Sequence, residues 1–366
     1  MFLETIEAES FRNLSGCLQC ERDLNILVGN NGQGKTNWLE AISILSTTRS
    51  FRTPWLNETI SFGSETAIVR GRVARSEGLQ RDLRAVIQGK TKAFFVNEKR
   101  EAVQAYISQM HSVVFNADGL DVVRGMPEAR RKFLDNAIAS IHPPYVQTIA
   151  DYSRVIKQKN AVLSSSAGED RPLVKVKEIL EPWNEQLEIL STRIHRARVR
   201  YVERLNEALE RGLFSGESVE LRYASSLEGK GELSNYQELV SERLKVRLQA
   251  EIVAGHSLVG PHRDDLEILL DGKDIRKFGS AGQQRSTFLL LQIANISVYH
   301  SQNLEYPLFL LDEIDSELDY DRIGRLLDHL RGKTQTFVTT SKEDFVGNFA
   351  SGAMVFDIVS GTAKAR

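Results

Sequence analysis

Residues 24–36 read Leu-Asn-Ile-Leu-Val-Gly-Asn-Asn-Gly-Gln-Gly-Lys-Thr, and this stretch decides the fold. Its first five residues form a short apolar run of buried-strand type. The next eight, Gly29-Asn30-Asn31-Gly32-Gln33-Gly34-Lys35-Thr36, fit G-x-x-x-x-G-K-[ST]. Trp38, Leu39, Ala41, Ile42 and Leu45 then recur at helical spacing with no proline or glycine between them. Strand, glycine loop and helix in that order predict a P-loop. Glycines let backbone N–H groups turn inward around phosphates, and the helix N-terminus adds a partial positive charge. Lys35 is expected to reach the β and γ phosphates of a nucleotide and Thr36 to ligate Mg²⁺ through its hydroxyl.

The 366 residues suggest roughly two domains. An apolar share of 41% with 26% charged residues excludes disordered, collagenous and membrane-embedded classes. Net charge is −2 and the pI about 6.4, so any nucleic-acid surface must be local. Acids at Glu4 and Glu7 and the lack of a long apolar run argue against a secretory signal or membrane span, which points to a cytoplasmic protein. Cys17 and Cys20 have C-x-x-C spacing, but no second pair completes a zinc site, and a structural role is expected.

Residues 60–100 alternate apolar and polar positions between glycines and read as antiparallel strands. Residues 117–250 turn to Glu, Arg, Lys and Leu at helical period, with breaks at Pro143-Pro144 and at Ser164-Ser165-Ser166-Ala167-Gly168. The expected division is therefore an ATPase N-terminal part over 1–116, a helical arm over 117–250 and an ATPase C-terminal part over 251–366. Within the arm, residues 187–211 carry Leu187, Ile194, Tyr201 and Ala208 at a seven-residue repeat, with Leu190 and Leu205 beside them. Arg193, Arg196, Arg200, Arg204 and Arg211 form a separate stripe. Counting Arg198, residues 190–204 hold five arginines against Glu203. A phosphate-contacting face and a solvated one both fit this stripe. The same two readings apply to Arg130-Arg131-Lys132.

Tyr306-Pro307-Leu308-Phe309-Leu310-Leu311-Asp312-Glu313 is an apolar run ending in two acids, as in a buried parallel strand whose C-terminal edge meets a nucleotide. This is a Walker B pattern. Asp312 is assigned to Mg²⁺ and Glu313 to the attacking water, so the catalytic pair is Lys35 and Glu313. Upstream, Phe278-Gly279-Ser280-Ala281-Gly282-Gln283-Gln284-Arg285 heads a long helical pattern. It resembles the LSGGQ-type signature of ABC-class ATPases, matching at Ser280, Gly282 and Gln283 and departing at Gly279 and Ala281. Ser316-Glu317-Leu318-Asp319 resembles the D-loop of that class. The resemblance implies that ATP is sandwiched between two copies, with Ser280, Gly282 and Gln283 of one meeting the γ-phosphate held by the P-loop of the other. The fold it implies is α/β: an ABC-type P-loop ATPase head with an inserted α-helical arm and an antiparallel β subdomain.

Further stretches resemble the RecF family more than SMC heads. They are Glu9-Ser10-Phe11-Arg12-Asn13-Leu14, Arg49-Ser50-Phe51-Arg52-Thr53, Arg130-Arg131-Lys132-Phe133-Leu134-Asp135 and Val259-Gly260-Pro261-His262-Arg263-Asp264-Asp265-Leu266. The best arm helix offers only about four heptads, roughly 40 Å, too short for an SMC coiled coil. Membership implies an ATP-dependent homodimer that binds duplex and single-stranded DNA at gaps or junctions, helps load RecA in repair, works with RecR and RecO, and needs no membrane. Two departures stand out. Val113–Gly119 stands where the Q-loop glutamine is expected, so either Asn116 or Asp118 substitutes for it or the role is absent, and Thr336-Phe337-Val338-Thr339-Thr340 lacks the switch histidine, which suggests slow hydrolysis. Competing readings are the ATPase head of an SMC-like or nuclease-associated system and a small-substrate P-loop kinase. The 53 residues after Glu313 leave little room for a nuclease domain, and a kinase needs no signature helix.

Overall fold

The computed structural model describes residues 1–75, 78–166, 173–209 and 218–366. These divide into two compact units, one built mainly from Met1–Val123 and Phe278–Arg366, the other from Arg124–Glu207 and Ser218–Lys277. Residues 251–277 thus pack with the second unit, whereas the sequence reading grouped them with the ATPase.

The first unit is organised by a twelve-stranded sheet. Its N-terminal strands are β1 (Phe2–Phe11), β2 (Leu14–Gln19), β3 (Leu24–Val28), β4 (Thr66–Ala74), β5 (Gln80–Gln88), β6 (Thr91–Val96), β7 (Lys99–Glu101) and β8 (Ser112–Phe115). The second unit supplies β9 (Val219–Ala224), β10 (Asp265–Leu270) and β11 (Lys273–Asp274) to a separate sheet. The chain then returns with β12 (Leu308–Leu311), β13 (Thr336–Thr340), β14 (Ala353–Val359) and β15 (Thr362–Ala365). The large sheet runs β7-β6-β5-β4-β1-β2-β15-β14-β3-β13-β12-β8. Strands β14, β3, β13, β12 and β8 pair in parallel, whereas β4 to β7 pair antiparallel.

Parallel strands covered on both faces need continuous apolar sequence, and Leu308, Phe309, Leu310 and Leu311 are all fully buried. The P-loop helix, Lys35–Thr47, lays Trp38, Leu39, Ile42 and Leu45 into one core with Leu27, Leu310 and Phe337. It approaches β4 so closely that a Cβ at Gly71 would stand 2.6 Å from a Leu45 methyl. This packing holds the loop's backbone in place at the sheet's C-terminal edge.

The second unit contains helices Pro127–Ile141, Tyr145–Ser166, Leu173–Leu209 and Tyr236–Ala254. The first two are separated at Pro143-Pro144, as the sequence suggests. Within the stretch read as a helical arm lies one strand, β9, which pairs antiparallel with β10. Val-Glu-Leu-Arg-Tyr-Ala alternates with period two, and that pattern is short enough to be masked by the helices around it. The helix Leu173–Leu209 has 37 residues and so spans about 55 Å, beginning well before the heptad run and passing through Pro182. Leu187, Ile194, Tyr201 and Leu205 are its buried face. Arg211, Ala167 and Gly168 lie outside the described residues.

Candidate nucleotide site

Positive φ values at Gly32 (80°) and Gly34 (107°) form the loop between β3 and its helix, a conformation that side chains resist. At Gly34 space also matters, since a Cβ would lie 2.9 Å from Asn13 Oδ1 and 3.1 Å from Gly361 Cα. Gln33 pins the loop to the β14–β15 turn: its carbonyl accepts from Gly361 N at 2.7 Å and its Oε1 from Ser360 N at 2.7 Å. Asn30, Asn31 and Gly32 are exposed at the crest. Lys35 is buried and donates from Nζ to the carbonyls of Gly29 (2.7 Å) and Asn30 (3.0 Å). Burial lowers its affinity for the proton, opposed by Glu313, Asp312 and Asp315.

Across the sheet edge, Thr36 Oγ1 donates to Asp312 Oδ1 at 2.9 Å, and Thr339 Oγ1 donates to the same oxygen at 2.7 Å. The Thr339 hydroxyl in turn accepts from Glu313 N at 2.9 Å. Burial raises the Asp312 carboxyl above the usual aspartate range, while the Thr339 and Thr36 hydroxyls pull it back. A hydroxyl and a carboxylate oxygen side by side are the hard oxygen donors that Mg²⁺ takes, so the Thr36–Asp312 pair fits such an ion by its chemistry. Glu313 is exposed and adopts φ 50°, a left-handed conformation costing about 1–3 kcal/mol in a non-glycine residue and concentrated at functional sites.

A polar cluster flanks the loop. Arg12 forks onto Glu40 with Nε and Nη2 at 3.0 and 2.9 Å, and Ser50 Oγ donates to Glu40 at 2.5 Å. Arg52 Nη1 reaches Asn37 Oδ1 at 2.6 Å, and Asn37 donates to Asn13. Phe11 is core, so the stretch around it serves both packing and this cluster. Glu40 was missed by sequence reasoning. A single acid in an apolar helix was its only signal, and it is fully buried. Asn116 follows the residue whose carbonyl accepts from Asp312 N, and its own Oδ1 accepts from Gly119 N at 3.0 Å; Asp118 is exposed.

The signature stretch begins the helix Ala281–Asn303. Ser280 is its N-cap in a capping box: Oγ accepts from Gln283 N at 3.2 Å and Ser280 N donates to Gln283 Oε1 at 2.9 Å. Nothing lies within 4 Å of a Cβ built at Gly282, so this helix end is open. Arg285 pairs with Glu317 and Arg322 bonds Ser286, which ties the signature helix to the D-loop. Among the described residues, no hydrogen bond or ion pair joins Ser280, Gly282 or Gln283 to the P-loop or to Asp312 and Glu313. The chain thus carries a hydroxyl–carboxylate pair beside the P-loop and a separate open helix N-terminus.

Other sequence candidates resolve differently. Arg130 is buried and forks onto Asp265 at 2.7 and 2.9 Å, and Arg131 donates to Asp264 O, so only Lys132 of that run is exposed. Arg198 is likewise buried against Asp135. Arg193, Arg196 and Arg200 remain exposed on one helix face. Cys17 and Cys20 are free thiols, and burial raises the Cys20 pKa.

Residues 2–364 match the family model of the RecF/RecN/SMC N-terminal domain. The chain is 35% identical over 352 residues to "DNA replication and repair protein RecF" of Bacillus cereus (strain AH820), covering 94% of this chain and 93% of that one, and equally so to that of Bacillus anthracis (strain CDC 684 / NRRL 3495). A solved structure of the recombination mediator protein RecF-ATPrS in the RecFOR pathway superposes with TM-score 0.89 at 29% identity, over 100% of this chain and 98% of that one. An Smc head domain with a coiled coil and joint from Pyrococcus yayanosii shares the fold, with TM-score 0.56 at 13% identity.

Proposed function

This chain belongs to the RecF/RecN/SMC family and within it to the RecF proteins, and from that membership we propose that it is an ATP-switched protein of recombinational DNA repair. The observation that carries the reading is the convergence of the Thr36 and Thr339 hydroxyls on one carboxylate oxygen of Asp312 beside the P-loop. In this reading the loop N–H groups and Lys35 hold the triphosphate, and Lys35 leaves its carbonyl partners to meet the β and γ phosphates. Thr36 and Asp312 would hold Mg²⁺, which when bound neutralises charge on the phosphate oxygens. Glu313 accepts the proton of the water attacking the γ-phosphorus, as the bond to the β-γ bridging oxygen breaks and ADP leaves. Thr339 keeps Asp312 and the start of Glu313 in register.

A second copy completes the site. The open helix N-terminus at Ala281, with Ser280 and Gly282, offers N–H donors to the γ-phosphate held by its mate, so ATP drives dimerisation. DNA at single-strand gaps or junctions, RecA loading, RecR and RecO belong to the same proposal by family. Hydrolysis is slow because threonines stand where a switch histidine does in other ABC-class ATPases.

Glu313→Gln tests the assignment. Hydrolysis is expected to fall by about 10²-fold or more while ATP-bound dimers accumulate in size-exclusion chromatography. Ser280→Arg or Gly282→Asp is expected to retain ATP binding and lose the dimer. Wild-type turnover in Glu313→Gln removes the base, and unaltered dimerisation in the signature variants removes the sandwich.

A further inference from the structure

The stretch Val259–Asp265, singled out in the sequence and unused by the nucleotide site, lies in the second unit and is locked from several directions. A Cβ at Gly260 (φ 131°) would overlap the Tyr152 hydroxyl. That hydroxyl donates to His262 Nδ1 at 2.6 Å, which leaves Nε2–H to donate to Ser257 O at 3.2 Å and fixes the neutral tautomer. Asp264 is fully buried, accepting from Tyr223 Oη and Ser226 N at 2.7 Å each. Between the two locked residues stands Arg263, exposed, its Nη2 donating to Ser257 O at 3.2 Å. The network therefore presents one guanidinium at a set position.

Arg263 is joined by three more cations around a concavity of about 310 Å³: Lys230, Arg243 and Arg247, over a floor that includes Leu258 and Val259. Lys230 Nζ is steadied by Ser226 O, the residue whose N–H holds Asp264. Arg243 and Arg247 lie one turn apart on the helix Tyr236–Ala254, where like charges cost a few tenths of a kcal/mol. Among the described residues, no acid lines the concavity. Three elements thus converge four positive charges without a counter-charge, which favours an anionic occupant.

The same two arginines also border an adjoining groove that includes the exposed Val246 and Val253. Among the described residues, neither depression has an aromatic side chain in its lining, so base stacking is not what it supplies. A bare phosphate backbone would use the cations and leave the valines in water. A peptide with carboxylates and aliphatic side chains uses both. We infer that this face of the second unit is a docking site for an acidic peptide segment of a partner protein bearing aliphatic residues, its carboxylates on Lys230, Arg243, Arg247 and Arg263 and its aliphatic side chains on Val246 and Val253. This goes beyond the nucleotide-switch reading and does not depend on it.

The test is fluorescence anisotropy of the full chain with a short labelled Asp/Glu peptide carrying a pair of leucines, with a leucine-to-glycine version and a labelled DNA duplex in parallel arms. Saturable binding of the leucine peptide is expected, about tenfold weaker in the Arg243→Glu, Arg247→Glu double variant and several-fold weaker for the glycine version. Val253→Asp, at an exposed position, is expected to weaken the peptide and spare the duplex. The inference is overturned by any of four results: no saturable peptide binding, equal binding of both peptides, indifference to the double variant, or a double variant that loses duplex and keeps peptide. The last result would make the face a phosphate surface.

Discussion

Thr339 holds two neighbours at once, and this makes it the most informative single side chain in the nucleotide site. Its hydroxyl donates to Asp312 and accepts from Glu313 N. Thr339→Val keeps the shape and removes both bonds. With each buried bond worth about 1 kcal/mol and an unmet partner more, turnover is expected to fall about 10- to 100-fold. ATP affinity should stay within a few-fold, because the P-loop is untouched. Steady-state turnover beside equilibrium nucleotide binding checks this, and an equal loss in both would make Thr339 a part of binding.

At the scale of elements, the helices Tyr145–Ser166 and Tyr236–Ala254 are pinned by Lys159 and Glu251, an ion pair at 2.7 Å with both side chains wholly buried. Ser257 Oγ and Leu258 N also donate to Glu251, so the pair anchors the segment beneath Arg263. Lys159→Ala would strand a buried carboxylate and is expected to cost about 3–5 kcal/mol in urea denaturation. Lys159→Met combined with Glu251→Leu should recover most of that loss, and failure to recover would mean that Glu251 matters chiefly to the 257–258 backbone. On the long helix, the exposed Arg193, Arg196 and Arg200 make a separable prediction. If they meet DNA phosphates, reversing all three to Glu lowers duplex affinity and flattens the log–log salt dependence by about one unit per lost contact. An unchanged slope assigns the stripe to solvent.

At the scale of the whole molecule, stability should depend on pH through half-buried histidines in both units. Burial lowers the pKa of His111 and of His262 to about 4 in each case. The unfolded chain protonates these groups near 6.5, so between about pH 6.5 and 4 it binds protons that the folded chain does not. Stability is therefore fullest above about pH 6.5 and drains away as pH falls. The urea midpoint is expected to drop between about pH 7 and pH 5, and His262→Gln should make the dependence shallower. A midpoint that rises on acidification would contradict the neutral tautomer bonded to Tyr152 and Ser257.

The P-loop, the Walker B strand and the signature helix were legible because each is local: a few adjacent residues carry both the chemistry and the periodicity of the element presenting it. The heptad face was legible for the same reason. The strand β9 was not, because six alternating residues among long helices carry too little pattern. Nor was the internal pairing of Arg130 and Arg198, since an arginine run looks the same whether its partner is water, phosphate or an aspartate 135 residues away.

What sequence alone determined was the inventory: a glycine-rich loop between strand and helix, two acids at a strand end and a capped helix, each set by bonds spanning a handful of residues. Tertiary structure decided the meetings, such as Thr36 with Asp312 across 276 positions, Arg12 with Glu40, and four cations around one hollow. The order β3-β13-β12 puts Thr339 between loop and acid, and strand order depends on packing energies summed over the whole sheet, which no short stretch of chain encodes.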